Sequence, residues 1–170
     1  MPDTGKTESA ASLINIRPAT TSDLARIGQL GAALVRMHHD LDPQRFIPAT
    51  AQTEHGYASF LGTQLDAPKI VVLVAEHDGR VIGYSYAGVE GLDYMSLRGP
   101  AGILYDIIVD PEHRTQGVGR LLLDATIAEL EQRGVPRVLL STAERNPSAQ
   151  RLFARAGFRR TMIEMTRESK

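Results

Sequence analysis

ILYDIIVDPEHRTQGVGR, residues 103–120, decides how the rest of the chain is read. An apolar, β-branched run ends at Asp110-Pro111, a short charged loop follows, and Gly117-Val118-Gly119 opens an amphipathic segment. That order is strand, loop, helix N-terminus. The loop from Arg114 through Thr115, Gln116, Gly117, Val118 and Gly119 sets two residues without side chains where the helix begins. Backbone N–H groups there can close on an anion without Cβ interference, and the helix dipole adds partial positive charge. A phosphate-bearing ligand is the natural occupant. Spacing narrows which one. A Walker loop needs Gly-Lys-Ser/Thr, which occurs nowhere in the chain. A dinucleotide fingerprint needs a small third residue where Leu122 stands and an acidic partner downstream, so that pattern fits poorly.

Outward from this stretch, composition sets the limits. The 170 residues suit one domain with a sizeable core, expected over 13–170 behind a loose N-terminal tail over 1–12. Nineteen basic residues stand against 20 acidic ones, a net charge of −1, so no global field favours nucleic acid or an anionic membrane. Without cysteine there is no disulfide, no thiolate zinc site and no cysteine acyl-enzyme. No apolar run approaches the roughly 20 residues that span a bilayer, and the opening MPDTGKTESAAS has no apolar signal-peptide core. A soluble, cytoplasmic protein is the expectation.

The chain then reads in order. Leu13 to Arg17 alternates as a first strand closed by Pro18, and Thr20 or Thr21 caps a helix with Leu24, Ile27, Leu30 and Leu34 on one face, weakened locally by Gly28 and Gly31. His38-His39 ends it in a polar loop. With no cysteine and no helical His-x-x-x-His spacing, no metal is expected there. A second helical segment is placed between Phe46 and Gln64. Lys69–His77, Asp78-Gly79 and Arg80–Gly88 read as a hairpin, since Asp-Gly supplies the two positive-φ residues of a tight turn. Residues 88–102 read as a functional loop containing Glu90. After the central strand, Val118 to Arg133 is a helix with Val118, Leu121, Leu122, Ala125, Ala128 and Leu130 inward, and Val138–Thr142 a buried strand. Asn146-Pro147 caps a last helix bearing Ala149, Leu152, Phe153 and Ala156 inward, and Arg159–Arg167 alternates as a final strand.

Arg114-x-x-Gly117-x-Gly119 after Val109-Asp110-Pro111-Glu112 resembles the pyrophosphate loop of the GNAT acetyltransferase superfamily, and Asn146 to Phe158 resembles that family's second signature at the same spacing. The resemblance implies an α/β (α+β) fold: a mixed, mostly antiparallel central sheet with a splayed central strand pair, flanked by helices. It implies acetyl-CoA as cosubstrate. Ile107, Ile108 and Val109 would offer backbone to the pantetheine arm as an added strand, Arg114 to Arg120 would receive the pyrophosphate, and Asn146 and Phe153 would lie beside the cofactor arm. It further implies transfer of acetyl to a primary amine of a small molecule, amino-acid derivative or peptide, with His38 and Glu90 as candidate acceptor contacts. Homodimers are common in the family.

Two positions depart from the family pattern. The usual glutamate of the central strand is Tyr105, and the usual phenolic acid of the second motif is Phe153. An alkyl ammonium with a pKa near 10.4 must lose a proton before it attacks. Strand alternation sets Tyr105 and Asp106 on opposite faces, so one of the two is expected to reach the thioester: Tyr105 is preferred as site-lining, with Asp106 as the alternative and Glu90 or His38 acting through water. A non-catalytic acetyl-CoA-binding or sensing domain is the alternative function.

Overall fold

A computed structural model describes residues 14–169. The expected tail at 1–12 and the strand start at Leu13 lie outside the described residues. Five strands form one sheet in sequence order. β1 (Ile14–Pro18), β2 (Ile70–His77), β3 (Arg80–Glu90) and β4 (Ala101–Val109) pair antiparallel, and β5 (Val138–Leu140) runs parallel to β4. Asp78 and Gly79 take φ of 49° and 73°, the twist that a two-residue hairpin requires.

Alternation on the strands gives each face its own core. Val72, Val74, Tyr84 and Ile108 meet Ile27, Leu30 and Leu34 of α1 (Leu24–Leu41) and Leu61 of α2 (Thr53–Gly62). Val71, Leu73, Ile82 and Leu104 meet Leu122, Leu123 and Leu130 of α3 (Val118–Gln132) and Phe153 of α4 (Pro147–Arg155). Arg17 closes the β1–α1 corner, bonding Asp23 at 2.8 Å and Glu76 at 2.5 Å. The two glycines of α1 mark where α2 crosses: a Cβ at Gly28 would lie 2.4 Å from the Glu54 carbonyl, and one at Gly31 would lie 2.3 Å from the Tyr57 ring.

Several expectations are corrected. The helix expected between Phe46 and Gln64 is α2, which fills only Thr53–Gly62 of that stretch, as Pro48 holds its predecessor out of helical geometry. On α3 Leu121 is exposed and Ala128 faces outward, whereas Leu123 and Thr126 are buried. Thr126 tolerates this because its hydroxyl pairs with Ser85 Oγ at 2.7 Å and donates to the Leu122 carbonyl at 2.7 Å. The loop expected over 88–102 is shorter, since β3 runs to Glu90 and β4 starts at Ala101. β5 has three residues, partly buried. Residues 159–169 form no strand and are exposed, as no strand among the described residues pairs with them.

Candidate active site

β4 carries the centre of the site, and a bulge shapes it. Tyr86 pairs with Asp106 and the next residue, Ala87, pairs with Leu104, so Tyr105 is an extra residue without a partner. A bulge restarts the alternation one residue on. Leu104 and Ile107 therefore pack on the α3 side, while Asp106 turns towards α1 and α2 together with the exposed Tyr105. The expectation that Tyr105 and Asp106 lie on opposite faces is thus corrected: both line the same two hollows.

The first hollow is a cleft of about 300 Å³ opened by the divergence of β4 from β5. Only Gly102–Leu104 pair with Val138–Leu140; from Asp106 to Val109, β4 has a strand partner on the β3 side alone. His38, Tyr105, Asp106, Ile107, Asn146 and Phe153 lie in its wall, whereas Glu90, Ile108 and Val109 do not. Ile108 is buried against α1 and contributes backbone only. Phe153 lies against Phe158, their ring centroids 6.0 Å apart. Asn146 Oδ1 accepts from the Ala149 N–H at 3.1 Å and so caps α4.

Asp106 is the carboxylate of this cleft. Burial raises its pKa, against the opposing effects of the Tyr84 hydroxyl, which donates to Oδ2 at 3.1 Å, and of the nearby His38. Tyr84 is fully buried, and burial followed by the Asp106 charge keeps its phenol protonated. His38 Nδ1 lies 2.9 Å from the Leu34 carbonyl, which only accepts, so Nδ1 is the donor of that bond. Tyr105 donates to Glu90 Oε1 at 2.5 Å, and Arg98 pairs with Glu90 Oε2. Burial and then the Glu90 bond push the Tyr105 phenol up. Glu90 thus reaches the site only through Tyr105. Sequence reading singled out neither Tyr84 nor Tyr57, though strand alternation marks Tyr84 as inward.

Below the cleft the chain turns through Asp110, whose side chain accepts from the Glu112 N–H at 3.2 Å and pairs with Arg26. Thr115 and Gly117 then take φ of 66° and 82° before Val118 starts α3. A β-branched residue in the left-handed region costs about 1–3 kcal/mol, a strain typical of ligand clamps. A Cβ built on Gly119 would meet only Leu152 at 3.5 Å and Val109 at 3.8 Å, ordinary contacts, so packing does not demand glycine there. Arg114 Nε donates to the Val109 carbonyl at 3.2 Å and is exposed, as is Gln116. Arg120 instead binds Asp124 at 2.8 Å and the Arg155 carbonyl at 3.0 Å. Among the described residues, no carboxylate pairs with Arg114, so its guanidinium charge is not neutralised in the loop.

Known proteins resemble this chain in sequence and in fold. The sequence model of the acetyltransferase (GNAT) family matches residues 34–158. A mycothiol acetyltransferase of Thermobispora bispora is 38% identical over 96 residues, covering 54% of this chain and 31% of that one. The chain therefore spans about a third of the length of such relatives. An uncharacterized N-acetyltransferase of Bacillus subtilis is 31% identical over 147 residues, covering 85% of this chain and 89% of its own. Among solved structures, an aminoglycoside N-acetyltransferase in complex with CoA superposes with a TM-score of 0.68 at 20% identity, over 92% of this chain and 95% of that one.

Proposed function

The chain belongs to the GNAT family of acetyltransferases, and from that premise we propose that it is an acetyl-CoA-dependent N-acetyltransferase acting on a primary amine of a small molecule. Acetyl-CoA supplies the acetyl group as a thioester, so that an amide C–N bond forms as the C–S bond breaks. The backbone of Ile107 to Val109 holds the pantetheine arm. The N–H groups from Gly117 to Arg120 face the pyrophosphate, with Arg114 as charge partner.

The observation that carries the reading is the placement of Asp106, a half-buried carboxylate whose pKa is raised by desolvation, in the cleft where β4 leaves β5. A base works best when its pKa approaches the working pH. Asp106 takes the ammonium proton onto its carboxylate, and the Tyr84 hydroxyl holds that carboxylate in place. Tyr105, its proton committed to Glu90, lines the site. Phe153 has no proton to give, so the nitrogen sheds its second proton to solvent as the amide forms, and the departing sulfur is protonated by solvent in the open cleft.

Thiol release from acetyl-CoA, measured with a panel of amines, tests this. Asp106→Asn is expected to lower amine-dependent release by about 10²–10³-fold while CoA affinity holds, and equal release by the variant would remove Asp106 from the base role. The absence of a phenol at Phe153 favours one second reading, an acetyl-CoA-binding domain with little turnover. Tight CoA binding with no release across the panel, and release appearing in Phe153→Tyr, would establish that reading instead.

A further inference from the structure

The second hollow beside Asp106, about 500 Å³, is walled by Gly56, Tyr57, Phe60, Leu61, Tyr86 and Tyr105. The chain has five tyrosines and four phenylalanines, and four of these nine meet here. Phe60 stands edge-on to Tyr86 at 5.8 Å and 86°, and Tyr86 tilts against Tyr105 at 4.9 Å and 33°. Phe60 is half exposed, so the concentration of rings is not demanded by core packing alone.

The charge pattern is as selective as the shape. Among the described residues, neither hollow has a lysine or arginine in its wall. Asp106 lies in the wall of both and is, among the described residues, the only carboxylate in either wall. Glu90, held against Tyr105 at the rim, is spent, with Oε1 taken by Tyr105 and Oε2 by Arg98. One carboxylate serves one ammonium. Aromatic faces attract a cation that is stripped of water and pack well against another ring. A ligand with several ammonium or hydroxyl groups would leave most of them unpaired against apolar walls, which is costly.

Building on the acetyltransferase reading, we propose that the acceptor is a monocationic primary amine on an apolar, aromatic body. The body fills the hollow between α2 and β3–β4, and the amine sits at Asp106 and points into the cleft. The site would thereby reject polyamines and amino sugars.

Two measurements on the full chain separate this inference from the activity it builds on. Binding of phenethylamine, followed by tyrosine fluorescence without acetyl-CoA, is expected to be about tenfold tighter than binding of the neutral 2-phenylethanol and of putrescine. Thiol release is expected to favour phenethylamine over putrescine and kanamycin by about tenfold or more in kcat/KM. Phe60→Ala, at a half-exposed position that leaves the fold intact, should raise the KM for phenethylamine about five- to tenfold while the KM for acetyl-CoA holds. Preference for putrescine or kanamycin would overturn the proposal and leave the acetyltransferase reading standing. Selective phenethylamine binding without thiol release would support the pocket and defeat the activity. No binding of any aromatic amine would overturn the proposal outright.

Discussion

Asp106 does its proposed work at a cost to the fold, and that cost can be measured. Burial raises its pKa, and the folded value stands above the ordinary aspartate value of about 3.9. A raised folded pKa means that the native state prefers the protonated carboxyl. The favourable contribution is complete below the unfolded pKa and is lost as the pH rises through the folded one. At pH 7 the ionised carboxylate therefore weighs against stability. Asp106→Asn keeps an oxygen for the Tyr84 hydroxyl and removes the charge, so urea unfolding at pH 7 should show the variant more stable by about 0.5–2 kcal/mol, the usual sign of a stability–activity trade-off. The gain should shrink as the pH is lowered towards 4. A variant less stable than the parent at pH 7 would mean that the charge is well solvated or paired, and would count against a tuned base. Asp23 presents the opposite case: bonding to Arg17 holds its pKa down to about 2, so its contribution is present above the ordinary value and lost as the pH falls towards 2.

At the scale of elements, what the sequence made legible and what it hid divide along a physical line. Patterns set by one segment were readable: the strand–loop–helix order at 103–120, the Asp78-Gly79 turn, and the Asn146 cap all follow from residues close in the chain. The bulge at Tyr105 was not, because it is a relation between β3 and β4, and nothing in β4 alone reveals which residue goes unpaired. The same holds for Arg159–Arg167, whose alternation suits a strand but which has no strand beside it. Gly31 looked like a weak point in a helix and is a contact. The Tyr57 ring occupies the space of its missing Cβ, and Tyr57 walls both hollows. Gly31→Ala must therefore push Tyr57, at a cost of about 1–3 kcal/mol for overpacking. The expected outcome is a severalfold rise in the acceptor KM with CoA affinity retained, read by steady-state kinetics beside calorimetry. A change in CoA affinity alone would show that α1 supports the cofactor side instead.

The molecule as a whole is divided where it is proposed to bind. β1 to β4 form a continuous antiparallel sheet, and β5 with α4 joins it through three paired residues and the apolar contacts under α3. A ligand laid along the β4 edge, with its pyrophosphate on the α3 N-terminus and its arm beside Asn146 and Phe153, would touch both parts. It would supply much of what the short β4–β5 pairing leaves out. Binding to the folded state alone stabilises by mass action, about 2.7 kcal/mol at a hundred times Kd. For a chain of 170 residues each kcal/mol raises Tm by about 2–4 °C, so saturating CoA should raise Tm by about 5–10 °C. Gly117→Ala separates the loop from the rest. With φ at 82°, alanine there costs about 1–2 kcal/mol and pulls the loop from its geometry. The variant should melt lower than the parent without ligand, and at the same CoA concentration its shift should fall to less than half. A full shift in Gly117→Ala would mean that the loop is not where the phosphates are held. No shift in the parent at any CoA concentration would remove the cofactor assignment, and the acetyltransferase reading with it.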